Sequence, residues 1–388
     1  MAKVFVTNAR QRKSLAIIRS LGKKGIKVTA GEEYRFAPSF FSKYCHESVV
    51  YPSPTEKPDF FIEWFVNHVK KSNYDVVFPV DDDVLEHVVN HFQELSAYTK
   101  IPVVNKELYQ KARDKAETIK IAMKNEIPCP KTYFISTLKE VKALAESLDF
   151  SVVIKPRRSS GSRGLVYVQS KDELHQKYLA VHERYKWPLI QEFIPPGGNT
   201  YGVEALFNRE SEPKAVFVHR RLREYPSSGG PSTLRESIKN SDLALLGIRL
   251  LKALNWYGVA MVEFKTDPRT NEPKLMEVNP RFWGSLALSI YAGIDFPYLL
   301  YKLAMEGDVN LAKDYRVGVQ CRWLMGDFLC FLKDSSKFHR KPSFFKFYDK
   351  DLKYDIISRE DIKPTLGIFL FYALRCFDKE FLRERLFR

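Results

Sequence analysis

The run Leu275-Met276-Glu277-Val278-Asn279-Pro280-Arg281 constrains this chain most. Side chains two apart on a strand share a face. An extended segment here therefore points Glu277, Asn279 and Arg281 the same way. Pro280 disfavours helix at Asn279 and supports the extended reading. A second carboxylate, Glu263, lies in the alternating run Ala260-Met261-Val262-Glu263-Phe264-Lys265. Between the two runs stands Asp267-Pro268-Arg269-Thr270-Asn271-Glu272-Pro273, which has strong turn chemistry. The hairpin so predicted sets Glu263 beside Glu277. Two carboxylates about 4 Å apart repel by roughly 4 kcal/mol at an effective dielectric near 20. A hard divalent cation removes that repulsion, and oxygen-only ligands select magnesium or manganese over zinc.

The chain has 388 residues, enough for two or three domain-sized cores. Its 45% hydrophobic and 28% charged composition is that of a soluble globular protein. No apolar run approaches the roughly 20 residues that span a bilayer. Met1–Thr7 reads as a first strand rather than a signal peptide, because polar Asn8–Arg12 follows at once. The cysteines (45, 129, 321, 330 and 376) are scattered, odd in number and without a C-x-x-C pair. They predict reduced thiols and a cytoplasmic location, and argue against a disulfide framework or zinc site. The net charge of +15 suits anionic partners or a basic solvated surface. No nucleic-acid motif stands in its expected context, so no nucleic acid is expected.

The first hundred residues alternate strand and helix, which predicts a parallel α/β sheet covered on both faces. Strands are expected at Lys3–Thr7, Lys27–Ala30, Asp75–Val80 and Ile101–Val104. Helices are expected at Ser14–Lys24, with Leu15, Ile18 and Leu21 on one stripe, and from Asp81 through Leu95. No G-x-G-x-x-G follows the first strand, so the dinucleotide fingerprint is missing. Asp81-Asp82-Asp83 falls at the carboxyl end of a strand, where ligands commonly bind. Aspartate is also favoured at helix starts, and capping is the simpler role. His87 and His91 share a helix face without a carboxylate to complete a metal site. A helix over Asp114–Asn125 ends at Ile127-Pro128-Cys129-Pro130, an extended crossing that suits a domain boundary. Ser136–Leu148 reads as helix, with Thr137 and Glu140 fitting a capping box.

Ser151–Pro156 is a β-branched strand carrying Lys155, a charge that needs a partner in an apolar run. Arg157-Arg158-Ser159-Ser160-Gly161-Ser162-Arg163-Gly164 follows, then the strand Val166–Gln169. Such a donor-rich loop can hold phosphate oxygens; alone it is equally a solvated basic hairpin. It lacks the Walker-A pattern and its helix. Pro188–Asn199 is a strand running into prolines and glycines. Its hinge at Gln191-Glu192-Phe193-Ile194 can offer backbone groups to a purine edge, with Phe193 and Ile194 as apolar walls.

Taken in order, Lys115, Ile154-Lys155-Pro156, the Gly-Ser loop, Gln191–Ile194, Glu263 and Glu277–Arg281 resemble the ATP-grasp superfamily. Within it the chain looks like the carbamoyl-phosphate-synthetase-like carboxylate–amine ligases, over about residues 1–310. The resemblance implies an ATP-grasp fold of α/β class (with α+β elements) in three parts. Residues 1–108 would be a parallel α/β domain. Residues 109–310 would be the ATP-grasp domain, with a small lid at about 130–192, and residues 311–388 a basic, aromatic extension. It also implies the cofactors ATP and Mg2+ (or Mn2+). Lys115 and Lys155 would bind phosphates. The loop with Ser160, Gly161, Ser162 and Gly164 would close over the β and γ phosphates. Gln191, Glu192, Phe193 and Ile194 would hold adenine. Asn199 falls where many members carry a ribose-binding glutamate. Glu263, Glu277 and Asn279 would hold metal, and Arg281 would steady the transferred phosphoryl group. The implied reaction is phosphoryl transfer to a substrate carboxylate, then attack by an amine, with ADP and phosphate released. A nucleotide-binding regulatory or assembly protein of the same fold is the alternative, and the intact acidic and basic residues argue against it.

Val216–Tyr225 is a strand running into arginines, bordering the phosphoryl-transfer site in related ligases. Alternation puts His219, Arg221 and Arg223 on one face, where arginine matches a substrate carboxylate bidentately. Arg221 and Arg223 are therefore catalytic candidates beside Arg281. Trp283 reads either as a wall of the acceptor pocket or as core. Expected partners are a small-molecule carboxylate, an amine and a second copy of the chain. Residues 331–388 carry fourteen Lys and Arg against nine Asp and Glu. Lys363–Phe377 is apolar but too short to cross a bilayer. This stretch reads either as a helix packed on the body or as a peripheral contact at the inner membrane surface.

Overall fold

The computed structural model describes residues 1–375 except Ser160, Ser162, Ser227 and Ser228. The chain starts as β1 (Lys3–Val6), α1 (Arg12–Lys23), β2 (Lys27–Glu32), β3 (Glu47–Val50), α2 (Pro58–Ser72) and β4 (Val76–Phe78). All pairings among these strands are parallel, in the order β3-β2-β1-β4. Alternation along β1 divides its side chains between two cores. Val4 and Val6 join α1, while Phe5 joins Phe61 and Phe65 of α2. The sheet is thus covered on both faces, as strand–helix alternation predicts. Leu15, Ile18 and Leu21 of α1 are all within 1% of full burial.

Two expected elements differ. Ile101–Val104 is not a strand: only Lys100 bridges Val76, because Pro102 removes a ladder donor. The helix after Asp81 breaks at His91, giving α3 (Asp82–Asn90) and α4 (Phe92–Ser96). His91 Nδ1 lies 3.0 Å from the His87 carbonyl, and His87 Nε2 lies 2.9 Å from that of Pro54.

After α5 (Lys106–Arg113) and α6 (Lys115–Lys124) comes a small unit. It holds β5 (Thr132–Tyr133), α7 (Leu138–Ala145), β6 (Val152–Lys155), β7 (Val166–Val168), α8 (Lys171–Arg184) and β8 (Leu189–Glu192). Its antiparallel sheet, ordered β5-β8-β6-β7, buries its own core of Val141, Ile154, Leu174 and Tyr178. Helix α7 is shorter than the run Ser136–Leu148. Only half of its capping box forms: Glu140 accepts from the Ser136 N–H and the Thr137 hydroxyl.

The central sheet is built from β9 (Thr200–Phe207), β10 (Pro213–Glu224), β11 (Ser232–Ile238), α9 (Ser241–Ala253), β12 (Gly258–Thr266) and β13 (Pro273–Asn279). Then follow α10 (Leu286–Ala292), α11 (Phe296–Glu306), β14 (Gln320–Arg322), α12 (Leu324–Lys333), β15 (Leu352–Tyr354) and α13 (Lys363–Arg375). The strand order is β13-β12-β9-β10-β11-β14-β15. One face packs Val203, Ala205, Val262 and Phe264 against Leu250, Leu251 and Ile119. The other packs Phe217 and Met261 against Trp283, Phe296 and the first sheet's core.

The residues after 311 are structural, not appended. β14 and β15 extend the central sheet, and α13 lies on a tight turn at Pro38–Phe41. Buried Asp327 receives Arg223 and Arg322, buried Asp355 receives Arg12 and Arg235, and buried Asp361 receives Arg19. The described part of Lys363–Phe377 thus packs on the body through one face of α13, where Pro364, Gly367 and Phe371 are buried. Among the described residues no helix is long and apolar enough to cross a membrane.

Candidate functional site

β12 and β13 form the antiparallel hairpin expected from the turn, and Glu263 stands directly opposite Glu277. In the turn, the Asp267 carboxylate accepts from both the backbone and the guanidinium of Arg269. On its other side Glu263 registers with Gly202. Three groups contact the carboxylate pair and a fourth, Lys155, lies beside it. Arg221 pairs with Glu263 through Nη2. Lys115 Nζ lies 3.3 Å from Glu277 and donates to the Ser159 carbonyl at 2.6 Å. Lys155 Nζ donates to the Met276 carbonyl at 3.0 Å. Asn279 Nδ2 donates to Glu277 at 3.3 Å.

The two carboxylates titrate apart. Burial raises Glu263, Glu277 adds repulsion, and Arg221 only partly offsets them. Burial also raises Glu277, but Lys115 and Lys155 outweigh it and hold the carboxyl below its usual range. Burial and the neighbouring Lys115 charge lower Lys155 to about 8. Among the described residues no group of three or more His, Cys, Asp and Glu converges. Two carboxylates and one amide oxygen are a partial oxygen set. Such a set suits a hard cation that completes its shell with water and phosphate oxygens.

Lys115 owes its place to Asp114, which caps α6 by accepting from Ala116 N. Arg157 grips the same carboxylate with contacts at 2.7–3.1 Å, and the Lys115 N–H donates to the Arg157 carbonyl at 3.0 Å. Arg157, at the start of the Gly-Ser loop, thus ties that loop to the lysine. Gly161 and Gly164 sit at φ +62° and +74°, conformations that favour glycine. A Cβ at Gly164 would meet the Tyr185 ring at 2.5 Å. Ser160 and Ser162 lie outside the described residues.

Several expected placements change. Arg223 leaves the row of His219 and Arg221. A β-bulge between Arg221 and Arg223 places Arg221 opposite Arg235 but Arg223 opposite Leu234, reversing its face. Arg223 instead makes a bidentate pair with buried Asp327 at 2.7 Å and covers the Phe344 ring. Arg281 also leaves its row, because β13 ends at Asn279 and Pro280 cannot donate to the ladder. Its Nε lies 3.0 Å from Asp81 and 2.9 Å from Asp82. Asp81 caps α3 by accepting from Asp82 N, and it also receives Lys13 at 3.0 Å and Gln11 at 2.9 Å. Capping and site-building thus coincide there.

At the hinge, Gln191 is turned into the small sheet and donates to Thr132 Oγ1 at 2.9 Å. The Glu192 carboxylate accepts from the Lys131 N–H and pairs with Arg269. Phe193 meets Tyr167 edge-on at 5.4 Å, and the Ile194 carbonyl accepts from Lys265 at 2.9 Å. The Asn199 carbonyl accepts from Thr266 N at 2.9 Å. Trp283 is core, 1% exposed against Phe296.

Sequence reasoning missed Glu204 and Ser285, which form a buried trio with His219. Glu204 accepts from Ser285 at 2.8 Å and lies 3.0 Å from His219 Nδ1. Glu204 stands opposite Met261 and Phe217 in the sheet, and no spacing rule links it to residue 285. Lys13 and Gln11 were missed too, because their loop lacks glycine and matches no phosphate-binding pattern.

A family model described as the ATP-grasp in the biosynthetic pathway with Ter operon matches residues 189–326. A RimK-like ATP-grasp domain model matches residues 112–204. The chain is 30% identical to D-alanine--D-alanine ligase of Carboxydothermus hydrogenoformans over 217 residues, 50% of this chain and 69% of that one. The chain belongs to the ATP-grasp superfamily. It is 24% identical to D-aspartate ligase of Enterococcus faecium over 268 residues, 64% of this chain and 63% of that protein. It thus spans less than two thirds of that relative's length. N5-carboxyaminoimidazole synthetase from Staphylococcus aureus shares the fold at TM-score 0.67 and 14% identity, with 90% of each chain covered. This ATP-grasp chain therefore has its lysines, loop and facing carboxylates on the scaffold that the ordered motifs imply.

Proposed function

We propose that this chain is an ATP- and magnesium-dependent ligase that joins a carboxylate to an amine. The observation that carries the reading is Glu263 facing Glu277, with Arg221 and Lys115 paired to them and Lys155 held beside them on the Met276 carbonyl. Phosphoryl transfer needs positioning and charge neutralisation more than a covalent nucleophile, and this site supplies both. Lys115 and Lys155 hold phosphate oxygens, and the loop from Ser159 to Gly164 covers them. Glu263, Glu277 and Asn279 would hold the metal, which would neutralise charge on the phosphates. The γ-phosphoryl group passes to a carboxylate oxygen of the substrate, and ADP leaves. The amine nitrogen then attacks the acyl carbon, the C–O bond to phosphate breaks, and the amine proton leaves with solvent. Arg281 and Arg221 border the reacting carboxylate. Two of the relatives, D-aspartate ligase and D-alanine--D-alanine ligase, are named for ligating amino acids, which supports an amino-acid-like acid or amine as substrate.

The test is ADP and phosphate release from ATP and magnesium with a panel of amino acids, acidic sugars and amines. Glu277→Gln should lower that release at least about a hundredfold while keeping the fold, as for other groups aimed at developing charge. Normal turnover by this variant would refute the metal assignment. Release of AMP and pyrophosphate would refute the acyl-phosphate route. Nucleotide binding without turnover under any acid and amine would favour a regulatory role.

A further inference from the structure

An aromatic cluster near the C-terminus lies outside the site. Phe331 is its hub, with Phe344 buried at 5.4 Å and Phe338 and Phe345 at 5.8 and 5.5 Å. Phe338 and Phe345 stack on each other at 6.2 Å. Around this hub Phe328, Leu332, Phe338, Phe345, Phe347 and Tyr348 are each more than half exposed. Six such side chains within 21 consecutive residues form a patch, not the scattered apolar exposure normal on surfaces.

The same stretch is basic. Residues 328–353 hold seven Lys and Arg against three Asp. Two of those acids are taken internally, Asp334 by Arg340 at 2.6 Å and Asp349 by Lys346 at 2.7 Å. Lys337, Lys341, Lys350 and Lys353 form no ion pair with the described residues. Lys337 instead lies over the Phe331 ring at 5.2 Å.

Charge selects the occupant. A second copy meeting this patch about a two-fold axis would set the lysines against themselves. An anionic lipid surface takes both halves: aromatic and leucine side chains enter the headgroup boundary, and the lysines meet phosphate and carboxylate groups. We propose that Phe328–Tyr348 is a docking surface for an anionic bilayer.

The test is co-sedimentation of the full chain with two vesicles. One is pure phosphatidylcholine; the other is phosphatidylcholine and phosphatidylglycerol in equal parts. The mixed vesicles should bind at least about tenfold more tightly, and added salt should weaken that binding. Lys337→Glu with Lys341→Glu and Lys350→Glu should lower it about tenfold or more, with an unchanged melting curve. Phe338→Ser with Phe345→Ser should lower binding as well. Absent binding to mixed vesicles, or unchanged binding by the charge-reversed protein, overturns the proposal. Loss on Leu366→Ser with Phe369→Ser but not on the patch variants also overturns it, moving the contact to α13. A dimer dissolved by the Phe338 and Phe345 changes, or oligonucleotide binding without vesicle binding, overturns it for a different partner.

Discussion

Glu263 and Glu277 face each other across one strand pair, yet their surroundings push them in opposite directions. Two lysines hold Glu277 ionised, whereas Glu263 has one arginine and lies deeper in like charge. A bound cation would lower both together. Gly202 matters at the same scale. A Cβ there would come within 2.3 Å of His219 Cε1, and that ring is 1% exposed with no room to move. Gly202→Ala should therefore destabilise the protein by about 1–3 kcal/mol, the usual range for overpacking, measured by denaturant unfolding. A cost within error would mean that the ring relocates freely.

At the scale of elements, the start of α6 links a helix cap to the Gly-Ser loop. Asp114 caps the helix and anchors Arg157, so one carboxylate sets both Lys115 and the Gly-Ser loop. Asp114→Ala should lose about 1 kcal/mol from the cap. On the proposed reading it should also raise KM for ATP more than it lowers kcat. An unchanged KM would show that the loop positions itself without Arg157. The hairpin β12–β13 was legible because alternation and turn chemistry are local. The bulge in β10 was not: nothing in His219-Arg220-Arg221-Leu222-Arg223 marks where the register shifts, and the pull of Asp327 on Arg223 comes from 104 residues away. Pro102 could have been read as a breaker of the expected strand Ile101–Val104, and Pro280 as the end of β13.

For the whole molecule, three buried acids join the C-terminal segment to the rest. Asp327 is fully buried between Arg223 and Arg322. Asp327→Ala leaves two buried guanidinium groups uncompensated and should cost about 3–5 kcal/mol in unfolding free energy. A loss below 1 kcal/mol would mean that water reaches those arginines. Asp355 has a pH signature. Burial alone would raise its carboxyl, but Arg235 and Arg12 win and lower it to about 2 from 3.8. A depressed folded pKa contributes stability that is present above the unfolded value and lost as pH falls through the folded one. Roughly 2 kcal/mol should therefore disappear between about pH 4 and pH 2. The acid-unfolding profile of Asp355→Asn should lack that component; a profile identical to that of the unaltered protein would rule the linkage out.

The sequence by itself determined the parallel first sheet, the β12–β13 hairpin with its facing glutamates, the lysine-bearing strand with its Gly-Ser loop, and membership of a ligase-like scaffold. Those features rest on periodicity, turn residues and ordered motifs, which are written within a few residues of one another. The tertiary structure decided which charges meet. Arg223 pairs with Asp327, Arg281 with Asp81 and Asp82, Arg12 and Arg235 with Asp355, and Glu204 with Ser285. A buried charge must find a partner, but which partner depends on what the fold brings within a few ångströms. For these pairs the partners lie far apart along the chain, beyond the reach of any local pattern.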